Sequence, residues 1–291
     1  MDANYSIFIG ICFLNPTLTN VGMGLQKHAI NCIPATDNRA RKSAYVMLWT
    51  LGLFFQGIVV VLAAKAVSIG NASTLGGFAG FGLISLAVFS RLVLKEVISK
   101  REFFGMFTIL VGTAMLGFFS NGHQKGLINF EQRRMIIFLI CYAVVAAALV
   151  VFMLRDIKVY GGAILGVIGG GMSGLALVLL KIIVGHFAGK GFAAGLIIEV
   201  LKNPYSWLTA IGGVGGLTLV QIGYKYGKSI QVVPGFSSMV VIMPALSGYL
   251  VLREAVPLIC AVSLAVITAG VLITTTAAHV GAKNGKQSIV S

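Results

Sequence analysis

Residues 15 to 20, Asn15-Pro16-Thr17-Leu18-Thr19-Asn20, carry two amides and two hydroxyls into the middle of an apolar run. Oxygens of these types ligate hard cations or hydrogen-bond a polar solute, and an amide held in an apolar setting needs a partner. Pro16 lacks a backbone donor, so the segment is expected to weaken a helix and bare its carbonyls. Further isolated polar groups stand in other apolar runs: Gln26-Lys27, Gln56, Ser73, Ser173, Lys181, Gln221 and Ser237. Asn15, Thr19, Asn20, Gln26, Gln56, Ser73, Ser173, Lys181, Gln221 and Ser237 are therefore the candidates for lining a solute path. Each has a structural reading as well. Gln56 or Gln221 can serve as an interhelical hydrogen bond, Lys27 as a snorkelling cation, and Ser73 and Ser237 as small contacts beside Gly76 and Pro234. Lys181 stands deeper in its run than Lys27, and burial would disfavour its charge. Glu96 and Glu254 each follow a base, Lys95 or Arg253, and read either as weak interfacial ion pairs or as a pair of gates.

No enzyme motif accompanies these groups. The sequence contains no G-x-S-x-G, no H-E-x-x-H and no Walker pattern, and His28, His123, His186 and His279 sit at the edges of apolar runs. No cofactor is expected, and the chain has no nucleotide motif with which to drive pumping. The four cysteines, Cys12, Cys32, Cys141 and Cys260, show no CxxC spacing and read as apolar packing residues.

The elements that must position these groups follow from composition. The 291 residues are 57% hydrophobic and 10% charged, far from the roughly 25% charge of a soluble domain. Apolar stretches long enough to cross a bilayer fall near 5–27, 44–64, 69–94, 103–119, 134–154, 159–184, 205–225, 229–252 and 256–277. The first is expected to be a retained span, since it has no basic n-region and is cut by Asn15-Pro16. Tyr224, Tyr226 and Tyr249 lie near span ends, where an aromatic belt is expected. The formal charge of +14 collects at span ends, which points to a membrane surface and away from nucleic acid. Fourteen of the 22 basic residues follow odd-numbered spans and eight lie on the other side, which places the C-terminus in the cytoplasm and the N-terminus outside.

The chain also repeats itself. The block from Gly76 aligns without gaps on the block from Pro234, with Leu94-Lys95-Glu96 on Leu252-Arg253-Glu254 and Gly112 on Gly270. Upstream, Lys27 falls on Lys181, and residues 15–20 fall on Gly169-Gly170-Gly171-Met172-Ser173-Gly174. Spans one to four thus match spans six to nine. Corresponding spans are five apart, so the second half crosses in the opposite sense, a plan of secondary transporters whose site lies where the halves meet. The expected fold class is an all-α integral membrane protein of two inverted four-helix repeats: 1–120, a connector with span five at 121–158, 159–278, and a polar tail at 279–291. The glycines of span six also form GxxxG steps at Gly166, Gly170 and Gly174, which suit close packing.

The first-span ending "GLQKHA" and the blocks "STLGGFAGFGLISLAVFSRLVLKE", "SGLALVLLK" and "PGFSSMVVIMPALSGYLVLRE" resemble the drug/metabolite transporter superfamily, EamA-like, and within it most of all the NIPA-type magnesium transporter branch. The resemblance implies alternating access around a central cavity and Mg2+ as first cargo. All eight carboxylates, among them Glu96, Glu102 and Glu254, lie at span ends or in loops, so a magnesium ion at mid-membrane would depend on amides, hydroxyls and carbonyls. An organic metabolite is the alternative cargo, with Lys181 as a reason to prefer it; a non-transporting receptor or scaffold is a further one. Expected partners are the lipid bilayer and a small-molecule or ion substrate, with no nucleic acid, and the chain is expected to be a monomer or homodimer.

Overall fold

In lipid, a backbone can meet its own hydrogen-bond demand as a helix, and the long apolar runs fold accordingly. The computed structural model describes residues 3–36, 38–69, 78–119, 131–187, 202–251 and 258–287. Among them are nine α-helices and no strand: α1 (Ala3–Cys32), α2 (Arg39–Ile69), α3 (Phe81–Leu92), α4 (Lys100–Phe119), α5 (Gln132–Met153), α6 (Ile157–Phe187), α7 (Pro204–Tyr226), α8 (Ser229–Leu250) and α9 (Leu258–Gln287). Eight are long and apolar enough to cross a membrane; α3 is shorter and follows a 3-10 turn at Phe78–Gly80. The protein is an all-α, multi-pass integral membrane protein.

Several boundaries differ from the sequence expectation; α1 runs on to Cys32 and α2 begins already at Arg39. Ile69 closes α2 instead of opening the third span, and α9 continues past 277 as far as Gln287. The more informative difference lies in α1, which runs unbroken through Pro16. The polar residues expected to open this helix bond back onto it. Thr17 Oγ1 donates to Phe13 O, Thr19 Oγ1 to Asn15 O and Asn20 Nδ2 to Pro16 O, at 2.8, 2.9 and 2.9 Å. Local back-bonding of this kind stands in for solvent and lets a helix carry hydroxyls and a proline through an apolar layer.

Helix α1 packs on α2 and α3, α6 packs on α7 and α8, and α4 packs on α9. Backbones approach closely at these crossings. A Cβ on Gly52 would lie 2.6 Å from Gly22 O, one on Gly169 would lie 2.6 Å from Gly216 O, and one on Gly270 would lie 2.8 Å from Gly105 O. Van der Waals contact at small residues holds membrane helices together where no water is left to expel. The main buried cluster joins Met23, Leu83, Ile109, Val220, Phe236 and Ile267 from six helices. Helices α2 and α5 turn Phe54, Val60, Ile140 and Val144 outward, the faces lipid would cover.

Candidate functional site

A cavity of about 740 Å³ forms a vestibule at the ends of the helices. Its walls come from the end of α1, the α3–α4 connection, the start of α6 and the α7–α8 junction. These are the segments that follow odd-numbered spans, which explains why they carry so many charges.

Lys27 sits at the floor of this vestibule. It does not snorkel outward: its side chain is 6% exposed, and Nζ donates to Tyr224 O and, at 2.8 Å, to Gly227 O. The ammonium also lies 5.6 Å from the centre of the Tyr224 ring. These carbonyls belong to the last turn of α7 and the residue that ends it, where unpaired oxygens and the helix dipole favour a cation. Tyr224 is likewise not a belt residue. It is buried and its hydroxyl has no partner among the described residues, whereas Tyr226 and Tyr249 are exposed as a belt requires.

Opposite Lys27, the α3–α4 connection is folded onto the start of α8. Lys95 takes the left-handed conformation at φ 54°, and Glu96 N donates to Ser90 O at 2.9 Å, which reverses the chain at the end of α3. The Glu96 carboxylate then accepts the Ser229 amide at 2.9 Å. Instead of an ion pair with its neighbour Lys95, Glu96 caps a helix from the other half of the chain and faces Lys27 and Lys228. Its other oxygen has no hydrogen-bond partner among the described residues. Burial pushes the carboxyl above its ordinary range, against the pull of the Ser229 amide, Lys27, the Ile230 amide and Lys228.

Glu102 makes a second bridge. Ser99 and Glu102 form a reciprocal box at the start of α4: Ser99 N donates to Glu102 Oε2 at 2.7 Å, and Glu102 N donates to Ser99 Oγ at 3.2 Å. The remaining oxygen of Glu102 accepts Gln231 Nε2 at 3.0 Å, and Lys228 Nζ stands 4.0 Å away while donating to Val97 O. The Ser-x-x-Glu spacing is legible in the sequence as a helix start; that it would reach α8 is not.

The predicted path residues fall into two groups above the floor. Asn15 Nδ2 donates to Val59 O at 2.8 Å and Gln56 Nε2 to Thr19 O at 3.2 Å, so Asn15, Thr19 and Gln56 join α1 to α2. Closer to the vestibule, Gln221 Nε2 donates to Gln26 Oε1 at 2.7 Å, and Gln221 Oε1 accepts Trp49 Nε1 at 3.2 Å. Gln26 and Gln221 are thus brought together from opposite halves of the chain, with Trp49 as a member that sequence reasoning missed. Asn20 is 2% exposed, and among the described residues neither its Oδ1 nor the buried Ser173 Oγ has a hydrogen-bond partner. Ser237 is half-buried on α8. Ser73, Glu254 and the side chain of Lys181 lie outside the described residues. No group of three or more His, Cys, Asp or Glu able to hold a metal occurs among the described residues.

The Gln26–Gln221–Trp49 chain yields an expected result. Gln221→Leu removes both bonds and leaves the Gln26 carbonyl unpaired, so the purified protein in detergent should lose about 0.6–1.7 kcal/mol of stability, the range of polar contacts between membrane helices. A thermal melt measures the loss, and an unchanged midpoint would show that the chain of amides holds nothing.

No family model and no solved structure matches the chain. Over 257 residues it is 25% identical to the Probable magnesium transporter NIPA9 of Arabidopsis thaliana, a match that covers 82% of this chain and 71% of that protein. This similarity and the eight membrane-length helices among the described residues support a multi-pass membrane transporter.

Proposed function

We propose that the protein is a secondary transporter that moves Mg2+ across its membrane by alternating access. The observation that carries the reading is the similarity, along four-fifths of the chain, to a protein named as a probable magnesium transporter. The architecture fits it. The α1–α2–α3 and α6–α7–α8 groupings and the α4–α9 pair are the packing that two repeats would produce, and the five-span offset of the aligned blocks suits repeats of opposite sense. In this reading the vestibule is the cytoplasmic mouth. Cargo passes the Lys27 floor and the Gln26–Gln221 bridge to reach Asn20, whose free Oδ1 is a ligand for a partly hydrated ion. The α3–α4 connection, held to α8 through Glu96 and Glu102, is the inner gate, and Glu254 holds the equivalent place in the other repeat.

A small organic anion is the second reading, because Lys27, Lys158, Lys225 and Lys228 outnumber Glu96 and Glu102 around the vestibule. One experiment separates the two. The purified protein in liposomes enclosing a Mg2+ reporter is expected to give saturable uptake. Asn20→Ala is expected to keep the melting midpoint, since Asn20 Nδ2 bonds only within its own helix, and to cut flux about tenfold or more, as a hydrogen bond to a charged group is worth about 1.5–3 kcal/mol. No uptake above protein-free liposomes, with the protein shown to be folded, would discard Mg2+ in favour of the organic anion.

A further inference from the structure

We infer that the inner gate of this carrier is controlled by a proton and that Glu96 is its binding site; the inference rests on the transporter reading. Three observations meet at this carboxylate. It lies on the wall of the vestibule, within reach of bulk water, yet one oxygen has no hydrogen-bond partner among the described residues. The buried Tyr224 hydroxyl on the same wall is also unpartnered. The ionised carboxylate can only accept, whereas a protonated carboxyl adds an O–H donor beside an oxygen that has no bond to lose. Finally, Glu96 is a structural tie, holding the α3–α4 connection to the α8 amide of Ser229.

The charges around it give protonation a mechanical consequence. Lys27 faces Glu96 from α1, Lys228 from the α7–α8 junction, Glu102 from α4 and Tyr224 from α7; Lys158 on α6 and Lys225 at the end of α7 line the same vestibule, and Lys95 and Lys100 flank it in its own connection. With Glu96 ionised, the buried Lys27 ammonium has a countercharge and the Ser229 amide bonds to a full negative charge, so the connection stays on α8. A proton taken from the vestibule cancels that charge. Lys27 is left buried without compensation and the grip on α8 weakens, which favours opening toward water. The step is a proton transfer alone: one O–H bond forms on Glu96, a hydronium ion of the vestibule gives up the proton and leaves water, and the proton returns to vestibule water when the gate closes. Lys27 and the α7 carbonyls that hold it set how much each protonation is worth.

The test uses the full chain in liposomes containing a Mg2+ reporter or, separately, a pH reporter. Mg2+ uptake is expected to change about fivefold or more between a vestibule-side pH of about 6 and about 8, with the pH reporter checking that the interior stays constant. Glu96→Gln keeps an oxygen for the Ser229 amide and is expected to transport with that pH slope gone. Uptake that ignores pH, or a Glu96→Gln protein with the wild-type pH profile, would overturn the inference while leaving the carrier reading intact. Absent Mg2+ flux would sink the cargo reading instead, and the proton site is then decided on the wild-type protein without transport. Carbodiimide modifies protonated carboxyls, and its labelling of Glu96, quantified by mass spectrometry against pH, is expected to have a midpoint above the roughly 4.3 of free glutamate. A midpoint at the free value would discard the site.

Discussion

Lys27→Met is expected to lower the stability of the purified protein by about 3–5 kcal/mol, the cost of breaking a buried charge arrangement from one side. The substitution leaves the Tyr224 and Gly227 carbonyls without their donor and takes from Glu96 the ammonium that faces it from α1. Much of the loss therefore belongs to what remains behind, and a second change should recover it. In Lys27→Met/Glu96→Gln the carboxylate no longer needs a countercharge, so at least about half the loss should return, whereas two uncoupled sites would add. Thermal melts of the two single variants and the double variant in one detergent close the cycle. Simple additivity would mean that Lys27 and Glu96 do not sense one another, and the vestibule floor would then be packing alone.

Gly170→Leu should be still harder for the fold to absorb. Helix α6 crosses α8 with its backbone against Val232 and Phe236: a Cβ on Gly170 would overlap Phe236 O and lie 2.7 Å from Phe236 Cα, and one on Gly166 would overlap Val232 O. The obstacle is backbone, so no rotamer change relieves it. Even Gly170→Ala should cost about 1–3 kcal/mol by overpacking, against a gain of up to about 1 kcal/mol in helix propensity. Gly170→Leu should fail to give a monodisperse peak on size exclusion. Gly213 is the control: a Cβ there meets nothing within 4 Å, so Gly213→Ala should be neutral or stabilising by up to about 1 kcal/mol. Equal tolerance at Gly170 and Gly213 would show that α6 and α8 are not held by close approach. The outcome also decides what the glycines of α6 are for, since backbone filling the space beside Gly166 and Gly170 leaves none for cargo.

Where residues 15 to 20 were read as a break, hydrogen-bond supply explains the continuous helix. Sequence showed amides and hydroxyls beside a proline in an apolar run, and from that alone an opened backbone is the direct expectation. It could not show that Thr17, Thr19 and Asn20 reach carbonyls four residues back, or that Val59 waits opposite Asn15. Gln26 and Gln221 were legible as polar groups in need of partners; that they are each other's partner, across 195 positions of chain, was not. Lys27 and Tyr224 were misjudged for one reason. Residues near the end of a span are interfacial only if nothing packs over that end, and here the α3–α4 connection and the α7–α8 junction do.

Hydropathy, charge placement and small-residue spacing by themselves determined that this chain is a bundle of membrane helices, because segment length and the cost of unpaired backbone in lipid are local properties of a sequence. The basic span ends and the repeated blocks were equally readable, since they are patterns along the chain. Which polar groups serve as glue and which stay free was decided by tertiary structure. A hydrogen bond is satisfied or left open by atoms within about 3.5 Å, and those atoms come from helices far apart in sequence. Glu96 shows the difference: its place at a span end was written in the sequence, and its grip on α8 beside a buried lysine came only with the fold.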